Sequence, residues 1–106
     1  MSPITTHVLD TATGQPGAGI SVALEFLSLD WSPLGSGVTD ADGRIRALLP
    51  DAHVLSPGLY RLRFDTSGRS SFFPEVAICF RIEDAHQHYH VPLLLSPFGY
   101  STYRGS

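Results

Sequence analysis

Hydrophobic and polar residues alternate in short runs along the chain, and turn residues interrupt them at intervals of about ten, a spacing that predicts an all-β sandwich with little or no helix. In Ile20-Ser21-Val22-Ala23-Leu24-Glu25-Phe26, the residues Ile20, Val22, Leu24 and Phe26 fall on one strand face, because side chains alternate with period two. The pattern returns at Tyr60, Leu62 and Phe64, and again at Val76, Ile78, Phe80 and Ile82. Further strands are expected over 5–10, 32–38, 44–48, 86–95 and 98–103, about eight in all. Thr13-Gly14-Gln15-Pro16-Gly17 reads as the first turn, and Asp40-Ala41-Asp42-Gly43 as a tight hairpin that leaves Arg44 on a rigid exit. The polar stretch from Asp65 to Ser71 reads as a surface loop with at most one helical turn.

Composition narrows the picture. With 106 residues, 42% of them hydrophobic, the chain has the size of one domain, and residues 1–106 are read as such. A domain this small buries only ~60–65% of the surface of its unfolded chain, so association with further copies would stabilise it. A net charge of −3 without any basic cluster argues against nucleic acid or an anionic membrane as partner. One cysteine, Cys79, cannot bridge within the chain, and no basic residue precedes Arg44 to form a secretory n-region. A soluble cytoplasmic protein is expected, and the closing residues do not match a peroxisomal address.

Histidine carries the candidate chemistry. His86, His88 and His90 have the i, i+2, i+4 spacing that shares one strand face, while Tyr89, Val91 and Leu93 point to the core. Three readings stand side by side: a Zn²⁺ site lacking an identifiable further ligand, a solvated polar face, and general acid–base chemistry by an imidazole with a pKa near 6.5. His7, out of phase with apolar Val8, would join His90 on one outer surface if their strands are neighbours. Cys79 is out of step with the core positions of its strand and reads as a non-catalytic thiol. The chain stops at Ser106 directly after an expected strand, which suggests a placed end.

Four segments together resemble the transthyretin-related 5-hydroxyisourate hydrolases: Thr5-Thr6-His7-Val8-Leu9-Asp10-Thr11, Asp42-Gly43-Arg44, Phe73-Pro74-Glu75-Val76, and His88-Tyr89-His90-Val91-Pro92-Leu93-Leu94-Leu95-Ser96-Pro97 running into Tyr103-Arg104-Gly105-Ser106. The resemblance covers essentially the whole chain, and the closing Tyr-Arg-Gly-Ser separates these hydrolases from transthyretin, a carrier that shares their fold. It implies a sandwich of two four-stranded sheets, a homotetramer built as a dimer of dimers, and active sites between the dimers. Its functional residues map onto His7, Arg44, His90 and Ser106, with Tyr103 and Arg104 joining His7 and Arg44 at the substrate, and no metal or cofactor. The family's longer insertion with a short helix is reduced here to the few polar residues after Asp65, so a changed loop shape is expected.

Overall fold

The computed structural model describes residues 2–105 and contains nine strands in two layers. They are β1 (Ile4–Asp10), β2 (Gln15–Pro16), β3 (Ser21–Leu27), β4 (Trp31–Val38), β5 (Arg44–Ile45), β6 (Gly58–Asp65), β7 (Glu75–Ile82), β8 (Tyr89–Ser96) and β9 (Gly99–Thr102). One sheet has the order β4-β3-β6-β7; the other runs β2-β1-β8-β9, with β5 also on β1. Because β5 pairs with Thr6 and His7 while β2 pairs with Leu9 and Asp10, the two short strands share one edge of β1. The expected two-sheet sandwich is observed, with four strands in one sheet and, because β5 joins β2 on β1, five in the other. Among the described residues no helix forms.

The core is built from the alternating positions. Leu24, Leu62, Phe64, Val76 and Ile82 from one sheet meet Ile4, Val8, Leu93 and Leu95 from the other, all fully buried. Each such side chain contributes ~1.5–3 kcal/mol relative to an exposed one. Tyr60 lies between Phe26 and Phe80 in the register, with ring centroids 4.9 and 5.9 Å away, and its hydroxyl donates to the Ser56 carbonyl at 2.7 Å. Cys79 faces outward from β7.

Strand β8 runs parallel to β1 and antiparallel to β9, although Pro92 interrupts its apolar run. A central strand tolerates proline only where the missing N–H has no partner to lose. On β8 the His90 carbonyl accepts from Gly105 and the Pro92 carbonyl accepts from the Thr102 hydroxyl at 2.7 Å, so Pro92 turns its nitrogen to the β9 side. Pairing with β9 begins only at Leu93, and the proline costs no ladder bond.

Several elements differ from the sequence expectation. The 13–17 turn contains the short strand β2, whose Pro16 sits on an edge. Strand β5 stops at Ile45 because Leu48 and Leu49 leave the sheet to fill the core. Asp40–Gly43 forms the expected turn, with Gly43 at φ 75° and its N–H donating to the Asp40 carbonyl at 2.9 Å, yet it carries the chain from one sheet to the other and makes no hairpin. Strand β8 begins at Tyr89, so His86 and His88 precede it; the His86 N–H bonds the Asp84 carboxylate at 2.9 Å, which holds that stretch as a turn. The shortened loop closes as a turn, with Arg69 and Ser70 N–H groups on the Thr66 carbonyl, and Arg69 reaches Asp10 at 3.1 Å.

Candidate active site

His7 and Arg44 are direct cross-strand partners on β1 and β5. On the other side of β1, Thr5 opposes His90 and His7 opposes Pro92. Since facing residues in a ladder share a sheet face, His7, Arg44 and His90 all project from the outer side of the same sheet. The neighbouring of β1 and β8, which sequence could only assume, is therefore the fact that gathers the site.

Local structure fixes each member. The Asp40 carboxylate accepts from the backbone N–H groups of Asp42 at 2.9 Å and Arg44 at 3.0 Å, and the Gly43 carbonyl accepts from Val8 N–H at 2.8 Å. That turn locks Arg44 opposite His7. The Arg44 N–H bond is the chief reason the Asp40 carboxyl lies below its usual range. Arg46 spends its guanidinium on Asp40 at 3.0 Å, whereas no described carboxylate lies within ion-pair distance of Arg44. A planar fork of donors is thus left for an incoming anion or carbonyl oxygen.

His90 is held from two sides. Its Nδ1 lies 2.8 Å from the Thr5 hydroxyl, which is also 3.1 Å from His88 Nε2. Across the ring, Gly105 forms an antiparallel bridge, donating to the His90 carbonyl at 2.8 Å. A Cβ at residue 105 would lie 2.5 Å from His90 Cδ2, so only glycine lets the closing segment come this near. Burial, then the Arg44 charge, lower the pKa of both His7 and His90; for His7 the Asp42 carbonyl and the Asp40 and Asp42 carboxylates oppose the shift, and for His90 its neighbours His7 and His88 add to it. The lowered values favour the uncharged form of each ring, the form that accepts protons.

A cavity of about 190 Å³ lies beside Arg44 and His90, lined also by Thr5, Arg46 and His88 but not by His7. A larger one, about 590 Å³, runs beside Arg63, Asp65 and Glu75 on the other sheet and contains no imidazole. Tyr103 and Arg104 are not brought to the histidine face within one chain. They line a separate cavity of about 240 Å³ with Phe80 and Tyr89, where Arg104 stacks 4.7 Å over the Tyr89 ring and donates to Gln87 at 2.6 Å. Ser106 lies outside the described residues. Among the described residues no group of three or more His, Cys, Asp or Glu side chains is arranged to hold a metal ion. Thr5 had drawn no functional reading from sequence, although its i, i+2 relation to His7 already put it on the same face.

The fold and the site together define a two-layer β-sandwich that sets two imidazoles of lowered pKa, and a guanidinium paired with no described carboxylate, on one sheet face. The chain belongs to the HIUase/Transthyretin family, whose model matches residues 4–105. It is 46% identical to the mouse (Mus musculus) 5-hydroxyisourate hydrolase, over 99% of this chain and 96% of that one. It is also 46% identical to the uric acid degradation bifunctional protein TTL of Arabidopsis thaliana, covering 98% of this chain but spanning only 37% of that longer protein. Among solved structures, Klebsiella pneumoniae 5-hydroxyisourate hydrolase superposes with a TM-score of 0.82 at 39% identity, covering 97% of this chain and 98% of that one. Sea bream transthyretin in complex with thyroxine superposes with a TM-score of 0.87 at 30% identity, covering 97% and 94%.

Proposed function

We propose that this chain hydrolyses the N1–C6 amide of 5-hydroxyisourate, opening the six-membered ring to 2-oxo-4-hydroxy-4-carboxy-5-ureidoimidazoline in urate breakdown. The observation that carries it is the convergence of His7, Arg44 and His90 on one face, in a chain whose relatives at 46% identity bear that hydrolase name. One imidazole takes a proton from water as it attacks the carbonyl carbon, and the other helps deliver a proton to the departing nitrogen. Arg44 binds the carbonyl oxygen and stabilises the negative charge that develops on it. Ser106 orients a histidine or the water, and Tyr103 and Arg104 shape the substrate pocket. No cofactor enters this scheme, and the cytoplasm is the proposed compartment.

The working form in this proposal is a homotetramer, a dimer of dimers. Two features of the single chain support it. A cavity of about 190 Å³ is smaller than the ~300–1,000 Å³ usual for small-molecule sites, so a second copy is needed as its further wall. Tyr103 and Arg104 also stand off the histidine face of their own chain. A carrier would share the sandwich, as the thyroxine-bound relative does, but carriage has no use for two imidazoles of lowered pKa flanking a guanidinium that no described carboxylate pairs.

Ultraviolet-monitored decay of freshly generated 5-hydroxyisourate, with the spontaneous rate subtracted, tests this directly. Fast saturable decay, unchanged by EDTA, is the expected result. No acceleration by a well-folded assembly would return the chain to the carrier class.

A further inference from the structure

Three side chains at the reacting face share one hydroxyl, and the hydrolytic scheme gives two of them no task. Thr5 on β1 and His90 on β8 are register partners, and Thr5 Oγ1 lies 2.8 Å from His90 Nδ1 and 3.1 Å from His88 Nε2. Thr5 is buried, His90 is half-buried at the cavity, and His88 is exposed. Nδ1 of His90 is committed to Thr5, which leaves Nε2 as the ring's atom for the reaction. We propose that Thr5 and His88 are positioning residues that hold a stationary hydrogen on His90 Nδ1, so that Nε2 alone gains and loses protons.

This inference rests on the hydrolase reading, in which His90 either takes a proton from water or delivers one to the departing nitrogen. Both tasks make the same demand on Nδ1. As the base, a neutral imidazole with a bare Nε2 has its hydrogen on Nδ1; as the acid, the imidazolium has hydrogen on both nitrogens. A neutral ring with hydrogen on Nε2 serves neither task. It has no lone pair there to accept with, and giving up that hydrogen would leave an anion. Over a turnover Nε2 gains one proton and loses one, Nδ1 keeps its own, and no proton travels through Thr5. The three groups end each cycle as they began it.

The inventory of donors shows how the arrangement is set. A threonine hydroxyl has one hydrogen to give and lone pairs to accept with. Of the two nitrogens beside Oγ1, only one can receive that hydrogen, and the other must donate to the oxygen. The two rings are therefore coupled as opposites. When His90 donates from Nδ1, the hydroxyl donates to a bare His88 Nε2, and the hydrogen of His88 sits on its own Nδ1. His88 thus supplies the acceptor that keeps the hydroxyl hydrogen turned away from His90. Without it, that hydrogen would turn to His90 Nδ1 and hold the ring in the unreactive tautomer. Thr5 suits the middle place, because a buried β-branched side chain has few rotamers to choose from.

The surroundings favour this one of the two directions. The charged and titratable groups around His90 are Arg44 and Arg46 from the β5 segment, His7 from β1, and His88; among the described residues no carboxylate lines the cavity. A positive neighbour attracts a lone pair and repels an N–H, so the side of His90 that meets the guanidinium is better left bare. The hydrogen then belongs on the far nitrogen, where Thr5 accepts it. A carboxylate in place of Thr5 would fix the same tautomer but would also favour the charged ring. A neutral hydroxyl fixes the tautomer and leaves the ring a proton acceptor.

Four proteins decide the matter: wild type, Thr5→Ser, Thr5→Val and His88→Ala. Long-range ¹H–¹⁵N NMR in alkaline solution reads which nitrogen of neutral His90 bears hydrogen. The expected result is Nδ1 in wild type and T5S, with the population moving to Nε2 in T5V and H88A. In turnover, T5V and H88A should lower kcat about fivefold, the population change that one hydrogen bond of ordinary strength enforces, with KM unchanged and T5S equal to wild type. A residue that merely supported the fold would not move the tautomer. Because His88 is exposed, H88A keeps the test decisive even if T5V fails to fold. Hydrogen on Nε2 of wild-type His90, an unchanged Nδ1–H in folded T5V or H88A, or full kcat in both would overturn the proposal. If wild-type protein fails to open 5-hydroxyisourate, the functional reading falls, while the NMR comparison still judges the hydrogen on Nδ1 by itself.

Discussion

His7 and His90 lie beside a guanidinium that no described carboxylate pairs, and that arrangement dictates how the site answers to acid. Burial and Arg44 hold both imidazoles below their ordinary value of 6.5. The neutral forms, which accept protons, persist into mildly acidic solution, so the acid limb of kcat/KM should have its midpoint below pH 6.5. Folding follows the same sign. Below pH 6.5 the unfolded chain takes up protons at these histidines before the folded one does, so stability falls as pH drops through that region. Denaturant midpoints at pH 7.5 and pH 5.5 check the second statement, and a midpoint that rises on acidification would contradict it. His7→Ala, Arg44→Ala and His90→Ala should each lower kcat by at least ~10², the lower range for losing acid–base or oxyanion help. Arg44→Lys should not recover activity, since an ammonium lacks the planar fork. Gly105→Ala should be comparably damaging through geometry alone. Its new methyl would press on the His90 ring at 2.5 Å, and a displacement of ~1 Å can cost ~10² in rate. A G105A enzyme with wild-type kcat would remove that constraint. His7, Arg44 and His90 were legible because the motif resemblance carried them. Thr5 was not, since nothing about a threonine in a strand signals the imidazole that will lie beside it from a segment 85 residues away.

At the level of elements, the turn Asp40–Gly43 matters more than its length suggests. It crosses between the sheets, hands Arg44 to β5, and bonds back to β1 at Val8. Gly43 has φ 75°, and a Cβ there would stand 2.4 Å from the Val8 carbonyl oxygen. Gly43→Ala should therefore cost at least ~1–2 kcal/mol from the left-handed conformation alone, with the carbonyl contact adding to it. Each kcal/mol is worth ~4–8 °C of Tm in a domain near this size. Calorimetry of the variant should show that loss together with weakened substrate binding, because moving the turn moves Arg44. A G43A protein with unchanged Tm would contradict the steric argument. This turn was readable in advance, as the Asp-x-Asp-Gly run has few other uses. The strands built on Leu24, Leu62 and Ile78 were readable for a similar reason, their buried positions falling on alternate residues, although Phe26 and Phe80 are only partly buried. The beginning of β8 was not, because three histidines at alternate positions imitate a strand while Asp84 turns the backbone beneath them. Parallel pairing of β1 with β8 was equally hidden, being a contact between chain segments that no local pattern encodes.

For the whole molecule the open question is how many chains make one site. A chain of 11.5 kDa is small enough that its core leaves much surface uncovered. Here part of that surface is apolar and clustered. Phe72 and Phe98 are 65% and 80% exposed, with ring centroids 6.2 Å apart, and Tyr100 packs edge-on against Phe73 beside them. Association would remove such a patch from water, and the modest cavity at His90 gives association a catalytic purpose. If a second copy completes the site, oligomer and activity must vanish together. Sedimentation should give four times the mass of one chain at micromolar concentration. On serial dilution the rate per chain should hold constant and then fall where the assembly dissociates, and substrate should shift that point lower by mass action. Single-chain species that retain full kcat would show that His7, Arg44 and His90 suffice within one sandwich. The tetramer would then serve stability alone, and Tyr103 and Arg104 would lose their proposed place at the substrate.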